Sequence, residues 1–233
     1  MTAIVVLVRR PRAAPDGTPA PNLLGRCDDA ALRAAVALST RVTVVAAGPA
    51  EREDAALRHA LGRGAERAVR VWDPGLDGVD YHAVAQVLAA ATRKLGFDLV
   101  LAGDRSDDEG DGAVGPAVAE ALGVPHLTAA IDVGLDGDAA RAKRRDSGVE
   151  RTLRLRLPAV VTVASSPATP APPSRPGRFA ALDLADLGIH AFEVRPRLHC
   201  QGTPTRTAAP APILAERPDE LIARLARDHL LEP

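Results

Sequence analysis

The sequence predicts an α/β protein: a mostly parallel, doubly wound sheet, extended by antiparallel strands and followed by a long C-terminal tail. Three observations predict it. Short apolar or β-branched runs at 4–8, 41–47, 66–72 and 98–102 alternate with helical patterns at 28–39, 51–62 and 80–95, as in a parallel sheet covered by helices on both faces. After Pro125 the pattern changes to LTAAIDVG, AARAKRRDSG and ERTLRLRLPAVVTVA, with reversals at Gly134–Asp138 and Asp146-Ser147-Gly148, which is the pattern of antiparallel strands. From Ser165 to Ala171 five of seven residues are Pro, Ser or Thr, which marks the end of regular packing.

Each element has its own signal. The start MTAIVVLVRR enters a strand directly. The turn Ala47-Gly48-Pro49 leads from the second strand into a helix near Glu51, whose first turn carries the acids that a helix start prefers and whose inner face is Leu57, Ala60 and Leu61. Leu99 to Ala102 are apolar enough for an inner parallel strand, and Ala113 to Leu122 read as a helix. Leu153, Leu155 and Leu157 alternate with Arg154 and Arg156, the period of a half-buried strand. Leu187 to Ile213 show little periodicity, and the closing RPDELIARLARDHLL places Leu221, Ile222 and Leu225 on one helical stripe. The expected organisation is an α/β core over 1–164, then a recognition loop, extended tail and C-terminal helix over 165–233, the tail wrapping a partner or its own domain.

Composition narrows the function. With 233 residues and 46% hydrophobic content the chain can bury a full core. A net charge of −1 and a pI near 6.6 give no field for nucleic acid or for a membrane surface. The longest apolar runs, Ile4 to Val8 and Pro158 to Ala164, are of strand length, so membrane insertion is not expected. The start lacks the features of a signal peptide and Cys27 and Cys200 make no disulfide framework, which together point to the cytoplasm. No catalytic constellation stands out. The six histidines are mostly far apart or near loops, Ser165-Ser166 lacks a nucleophile-elbow context, and the two thiols have no identifiable base, so neither a metal site nor independent turnover is expected.

The stretch DLVLAGDRSDDEGDGAVGPAVAEALG, from Asp98 to Gly123, carries the chemistry. Gly103, Gly110, Gly112 and Gly115 free the backbone between a strand and a helix, and the helix start offers unpaired N–H groups and a positive dipole end to a phosphate. The bland reading is a plain connection. Asp104, Asp107, Asp108, Glu109 and Asp111 stand against the single cation Arg105 and would repel a phosphate. Either these side chains point to water, or Mg²⁺ bridges some of them to a ligand, or the loop has lost its ligand; the first is favoured, because no regular set of oxygen ligands stands out.

IVVLVRR at the start, VTVVAAGPAERED followed by LRHALGRGAERAVRV, DLVLAG with GAVGPAVAEALGVP, LRLRLPAVVTV at 153–163, RFAALD at 178–183, PTRTAA at 204–209 and RPDELIARL stand in an order that resembles the beta subunit of electron transfer flavoproteins. The resemblance covers nearly the whole chain and implies a Rossmann-like, adenine-nucleotide-binding sheet. It implies a heterodimer in which an alpha subunit holds most of an FAD and this subunit buttresses it, binding a structural AMP, or in some members a second FAD with NAD. Electrons would pass from acyl-CoA or other flavin dehydrogenases to a downstream acceptor, the electron steps belonging to the flavin. The nucleotide positions carried over are Leu7, Ala47, Gly103, Asp104, Arg105, Ser106, Asp108, Gly110, Gly112, Ala113 and Val114. Leu182 carries over as the anchor inserted into a dehydrogenase pocket, the bland reading being that it packs on its own subunit.

The departures are specific. Gly25-Arg26-Cys27 stands where the family has an Asn-Pro-Phe-type stretch, Ala113-Val114-Gly115 lack the family's glutamine, and Pro11-Arg12-Ala13-Ala14 lack the aromatic often placed beside the flavin. Asp183 and Asp186 replace a lysine-rich stretch. Backbone N–H groups alone can still hold a phosphate. Two other readings stay open: a stand-alone adenine-nucleotide-binding module of the stress type, and a degenerate subunit that keeps fold and partner without nucleotide. Gly112→Trp is expected to fill the phosphate position and empty the site.

Overall fold

The computed structural model describes residues 1–13, 20–164, 177–198 and 217–227, in two compact units, 1–199 and 200–233. The first is the predicted α/β fold. Nine strands form one sheet: β1 (Ile4–Leu7), β2 (Val42–Ala47), β3 (Arg67–Val71), β4 (Leu99–Gly103), β5 (His126–Asp136), β6 (Ala139–Asp146), β7 (Val149–Arg156), β8 (Ala159–Val163) and β9 (Arg178–Leu182). Their order is β7-β6-β5-β8-β4-β1-β2-β3-β9. The helices are α1 (Arg26–Leu38), α2 (Ala50–Gly62), α3 (Tyr81–Leu95) and α4 (Val114–Leu122). In the second unit α5 (Pro218–Arg227) is an amphipathic helix with acids in its first turn and arginines in its last.

Successive side chains of an inner strand point to opposite faces, so runs such as IVVL and LVLA build two cores at once. Ile4, Val6, Val42, Val44, Leu99 and Leu101 pack under α1 and α2. Val5, Leu7, Val45, Val69, Val71 and Val100 pack under α3 and α4. The chain leaves β1 toward β2 on one side and returns, after β3, to β4 on the other. That reversal opens a crevice beyond the carboxyl ends of β1 and β4, where open α/β sheets bind ligands.

The antiparallel extension is smaller than the sequence pattern suggests. Only β6 and β7 run antiparallel, β6 to β5 and β7 to β6. β8 lies between β4 and β5 and is parallel to both. All five residues of AVVTV are buried, and a run without polar alternation belongs inside a sheet covered on both faces. β7 is the edge, so the Leu/Arg alternation is only partly expressed: Leu155 is buried, and Leu153 remains 39% exposed. At the opposite edge, RFAAL forms β9, parallel to β3, so a segment beyond residue 164 completes the sheet. The Pro-rich loop, His199, Cys200 and the PTRTAA motif lie outside the described residues.

Candidate functional site

The segment leaving β1 is fixed by three carboxylates from three different elements. The backbone N–H of Arg9 donates to Asp28 of α1 (3.1 Å), that of Arg10 to Glu53 of α2 (2.9 Å), and that of Arg12 to Asp108 of the β4–α4 loop (2.8 Å). Pro11, between them, has no N–H to place. Glu53 is fully buried, and its other oxygen accepts from Arg52 Nε at 2.6 Å. Burial pushes the Glu53 carboxyl up, against the pull of the Arg10 N–H and of Arg52.

Three of the five acids of the β4–α4 loop are paired with arginines instead of simply facing water as expected from sequence, whereas Asp111 is exposed. Arg9 pairs with Asp108 and reaches Glu109 at 3.4 Å, Arg12 reaches Glu109 at 3.0 Å, and Arg26 donates from its N–H and its Nε to Asp107. These three arginines come from the segment between β1 and the start of α1, far away in sequence, so the local count of five acids against one cation misjudged the field. Burial alone would raise Asp108, yet hydrogen bonds from the Arg12 N–H, the Arg9 guanidinium, Ser106 and the Glu109 N–H outweigh it and hold this carboxyl well below the usual range. For Arg9, burial works to lower the pKa and the pairing with Asp108 and Glu109 raises it on balance.

Between this clasp and α3 lies a cavity of about 560 Å³. Its lining includes Leu7 at the end of β1, Ala47 at the end of β2, Gly103 at the end of β4, then Arg105, Ser106, Gly112, Ala113 and Val114. Eight of the eleven nucleotide positions inferred from sequence thus converge on one space. The other three do not. Asp104 turns to the sheet, where its Oδ1 accepts from Thr162 Oγ1 (2.8 Å) and from the N–H of Ala129 (2.9 Å), tying β4 to β8 and β5. Asp108 belongs to the arginine clasp, and Gly110 shapes the loop with a φ of 70°. Leu182 lies apart from the cavity, half-buried on the apolar cluster of its own chain, with its carbonyl accepting from the Trp72 N–H.

Two glycines are set by close approach. A Cβ on Gly103 would lie 2.9 Å from the backbone N of Asp28, so only glycine lets β4 end against the start of α1. Gly112 has a φ of 62°, and a Cβ there would lie 2.5 Å from the carbonyl oxygen of Asp104. Gly112→Trp therefore deforms the loop as well as filling the space, and it is not the clean test that the sequence suggested.

Sequence reasoning missed Asp28, Trp72, Arg12 and Arg52, all of which line the cavity. Asp28 reads in sequence as an ordinary first-turn acid. Here burial raises its carboxyl to about 7, opposed by the N–H groups of Arg9 and Gly103 and by the Arg9 charge. α4 begins at the cavity without a side-chain cap, and Pro116 in its first turn has no N–H. The first N–H groups of α4 suit an anion, while the arginines that reach the cavity, Arg105, Arg12 and Arg52, are each within ion-pair distance of a carboxylate, Asp104, Glu109 and Glu53, and Glu109 and Asp111 also border the space; Leu7, Ala47, Val84 and Trp72 suit a flat apolar ring. The volume falls within the range of small-molecule sites, roughly 300–1,000 Å³. The residues fit an adenine nucleotide. Among the described residues no group of three or more His, Cys, Asp or Glu could hold a metal ion, and no helix is long and apolar enough to cross a membrane.

Comparison with known proteins gives a consistent picture. A family model described as the electron transfer flavoprotein domain matches residues 20–187. The chain is 38% identical over 170 residues to the electron transfer flavoprotein subunit beta of Mycobacterium bovis, covering 69% of this chain and 63% of that protein. It is 30% identical over 209 residues to the subunit of the same name from Thermoanaerobacterium thermosaccharolyticum, covering 86% and 80%. It is 37% identical over 155 residues to the protein FixA of Azorhizobium caulinodans, covering 61% and 55%. The match spans 63% of the length of the mycobacterial relative.

Proposed function

Because this chain belongs to the electron transfer flavoprotein beta-subunit family, we propose that it works as one half of a heterodimer with an alpha subunit. In this reading FAD is held mainly by the alpha subunit and carries electrons from acyl-CoA or other flavin dehydrogenases to a downstream acceptor. The present chain buttresses that subunit and holds a structural AMP. Leu7, Ala47, Gly103, Arg105, Ser106, Gly112, Ala113 and Val114 would line the nucleotide, with the phosphate at the start of α4 and the base over the ends of β1 and β2. When bound, FAD supplies the redox chemistry, and the protein's share is position and electrostatics.

The observation that carries the reading is the cavity itself. It lies at the reversal of strand order, and an uncapped helix start opens onto it. Asp107, Asp108 and Glu109 are paired with Arg9, Arg12 and Arg26 and Asp104 is held at the sheet, which leaves Asp111 as the loop acid that faces the cavity. This favours a retained nucleotide over a degenerate subunit, even though the family's glutamine and Asn-Pro-Phe-type stretch are missing.

The test is co-expression with an alpha-type subunit, purification, and quantification of FAD and AMP released on denaturation. One FAD and one AMP per heterodimer support the reading. Two FAD and no AMP would replace it with a second flavin in the cavity. A chain that stays alone and holds nucleotide would point to a stand-alone nucleotide module.

A further inference from the structure

The cavity has two chemically different ends. On the β4 side are the first N–H groups of α4 and the Arg105 guanidinium. On the β3 side are Trp72 and Tyr81, which close the two ends of the connection from β3 to α3. The chain uses aromatic residues sparingly: three Phe, one Tyr and one Trp in 233 residues. That two of these five line the same cavity, the sole tryptophan among them, sets this wall apart from ordinary core packing.

The backbone that carries the indole is held from both sides. The N–H of Trp72 donates to the Leu182 carbonyl of β9 at 3.0 Å, and the preceding Val71 carbonyl accepts from the Gly48 N–H at 3.0 Å. The indole is half-buried, packed on the apolar cluster of β1, β3 and α3 and also bordering the open space. Leu7 and Ala47 add an apolar floor that suits the face of an uncharged ring, while Asp77, Asp80 and Tyr81 border the same end and can meet its polar edge. A second phosphate at this end would meet no comparable donor set.

We propose that Trp72 is the base platform of this site: its indole stacks on the purine ring of a nucleotide whose phosphate lies at the start of α4. The inference rests on the nucleotide reading of the cavity and adds the residue that selects the base. Stacking tolerates any flat base, and a purine covers more of the indole than a pyrimidine does, so the order of preference is purine over pyrimidine nucleotide.

The test uses the full chain with its alpha subunit, freed of bound nucleotide, titrated calorimetrically with AMP and with ribose 5-phosphate. Trp72→Phe keeps AMP affinity within about threefold, and Trp72→Leu weakens AMP by about tenfold or more while ribose 5-phosphate binding is unchanged. AMP quenches a component of the emission that is present in wild type and missing in Trp72→Phe. Equal AMP affinity in Trp72→Leu and wild type overturns the proposal. So does a parallel loss of AMP and ribose 5-phosphate, which would make the indole only a wall. A wild-type complex that takes up no AMP overturns this proposal and the nucleotide reading together, whereas wild-type uptake that survives Trp72→Leu overturns this one alone.

Discussion

Asp28 is part-buried in the first turn of α1, where the dipole and the N–H groups of Arg9 and Gly103 favour its charge and desolvation opposes it. Burial wins, and the carboxyl rises from 3.8 to about 7. A carboxyl raised in the folded state binds its proton more tightly there than in the unfolded chain. Its contribution to stability is therefore fully present below about 4 and is lost as pH rises toward and through 7. Asp28→Asn should keep an acceptor for the Arg9 N–H and remove the cost of burying a charge. We expect the variant to be about 1–3 kcal/mol more stable than wild type at pH 8 and close to it at pH 4, measured by urea unfolding at both. A wild-type advantage at pH 8 would contradict the burial argument. Gly103 is the other residue-scale constraint. Gly103→Ala forces its Cβ against the backbone of Asp28 and should lower stability by roughly 1–3 kcal/mol in thermal or urea unfolding.

The β4–α4 loop is held by charge across the site, and its pH response runs opposite to that of Asp28. Asp108 is held below the usual carboxylate range, so the clasp contributes above about 4 and is lost as pH falls further. Asp108→Asn should speed amide hydrogen exchange in 105–112 and cost about 1–2 kcal/mol at pH 7, a cost that begins to shrink below about pH 4 and is still mostly present near pH 3, because the folded-state carboxylate keeps its charge there. Unchanged exchange in that loop would mean that the arginines of the β1–α1 segment do not hold it.

Much of this element was legible in the sequence and part of it was not, for the same reason. Strand, glycines and helix are local signals, read from the period and composition of Asp98 to Gly123. The partners of its acids lie about 81 to 99 residues away, beyond any local count of charge. β8 was misplaced for a related cause: a buried strand after a hairpin looks the same in sequence whether it extends the edge or enters between two parallel neighbours. RFAAL, with one aromatic among small residues, carries too weak a period to announce the edge strand β9.

The whole molecule joins two cores through one sheet and places its crevice where strand order reverses. A break in either core should be felt at the crevice, because β1, β2 and β4 carry both. Leu101→Ala, on the α1 and α2 face, should cost about 2–5 kcal/mol in urea unfolding and lower nucleotide retention only through stability. On the proposed function, the crevice holds an adenine nucleotide in a beta subunit. Ala113, at the start of α4, lines the crevice with an ordinary helical φ of −80°, so a large side chain there fills the space without straining the loop as at position 112. The most direct measurement is the AMP and FAD released on denaturation from the co-purified heterodimer, wild type beside Ala113→Trp. The wild-type heterodimer should release about one AMP and the variant little or none, with the same FAD content in both. Equal AMP in the two, or none in either, would contradict the proposed function.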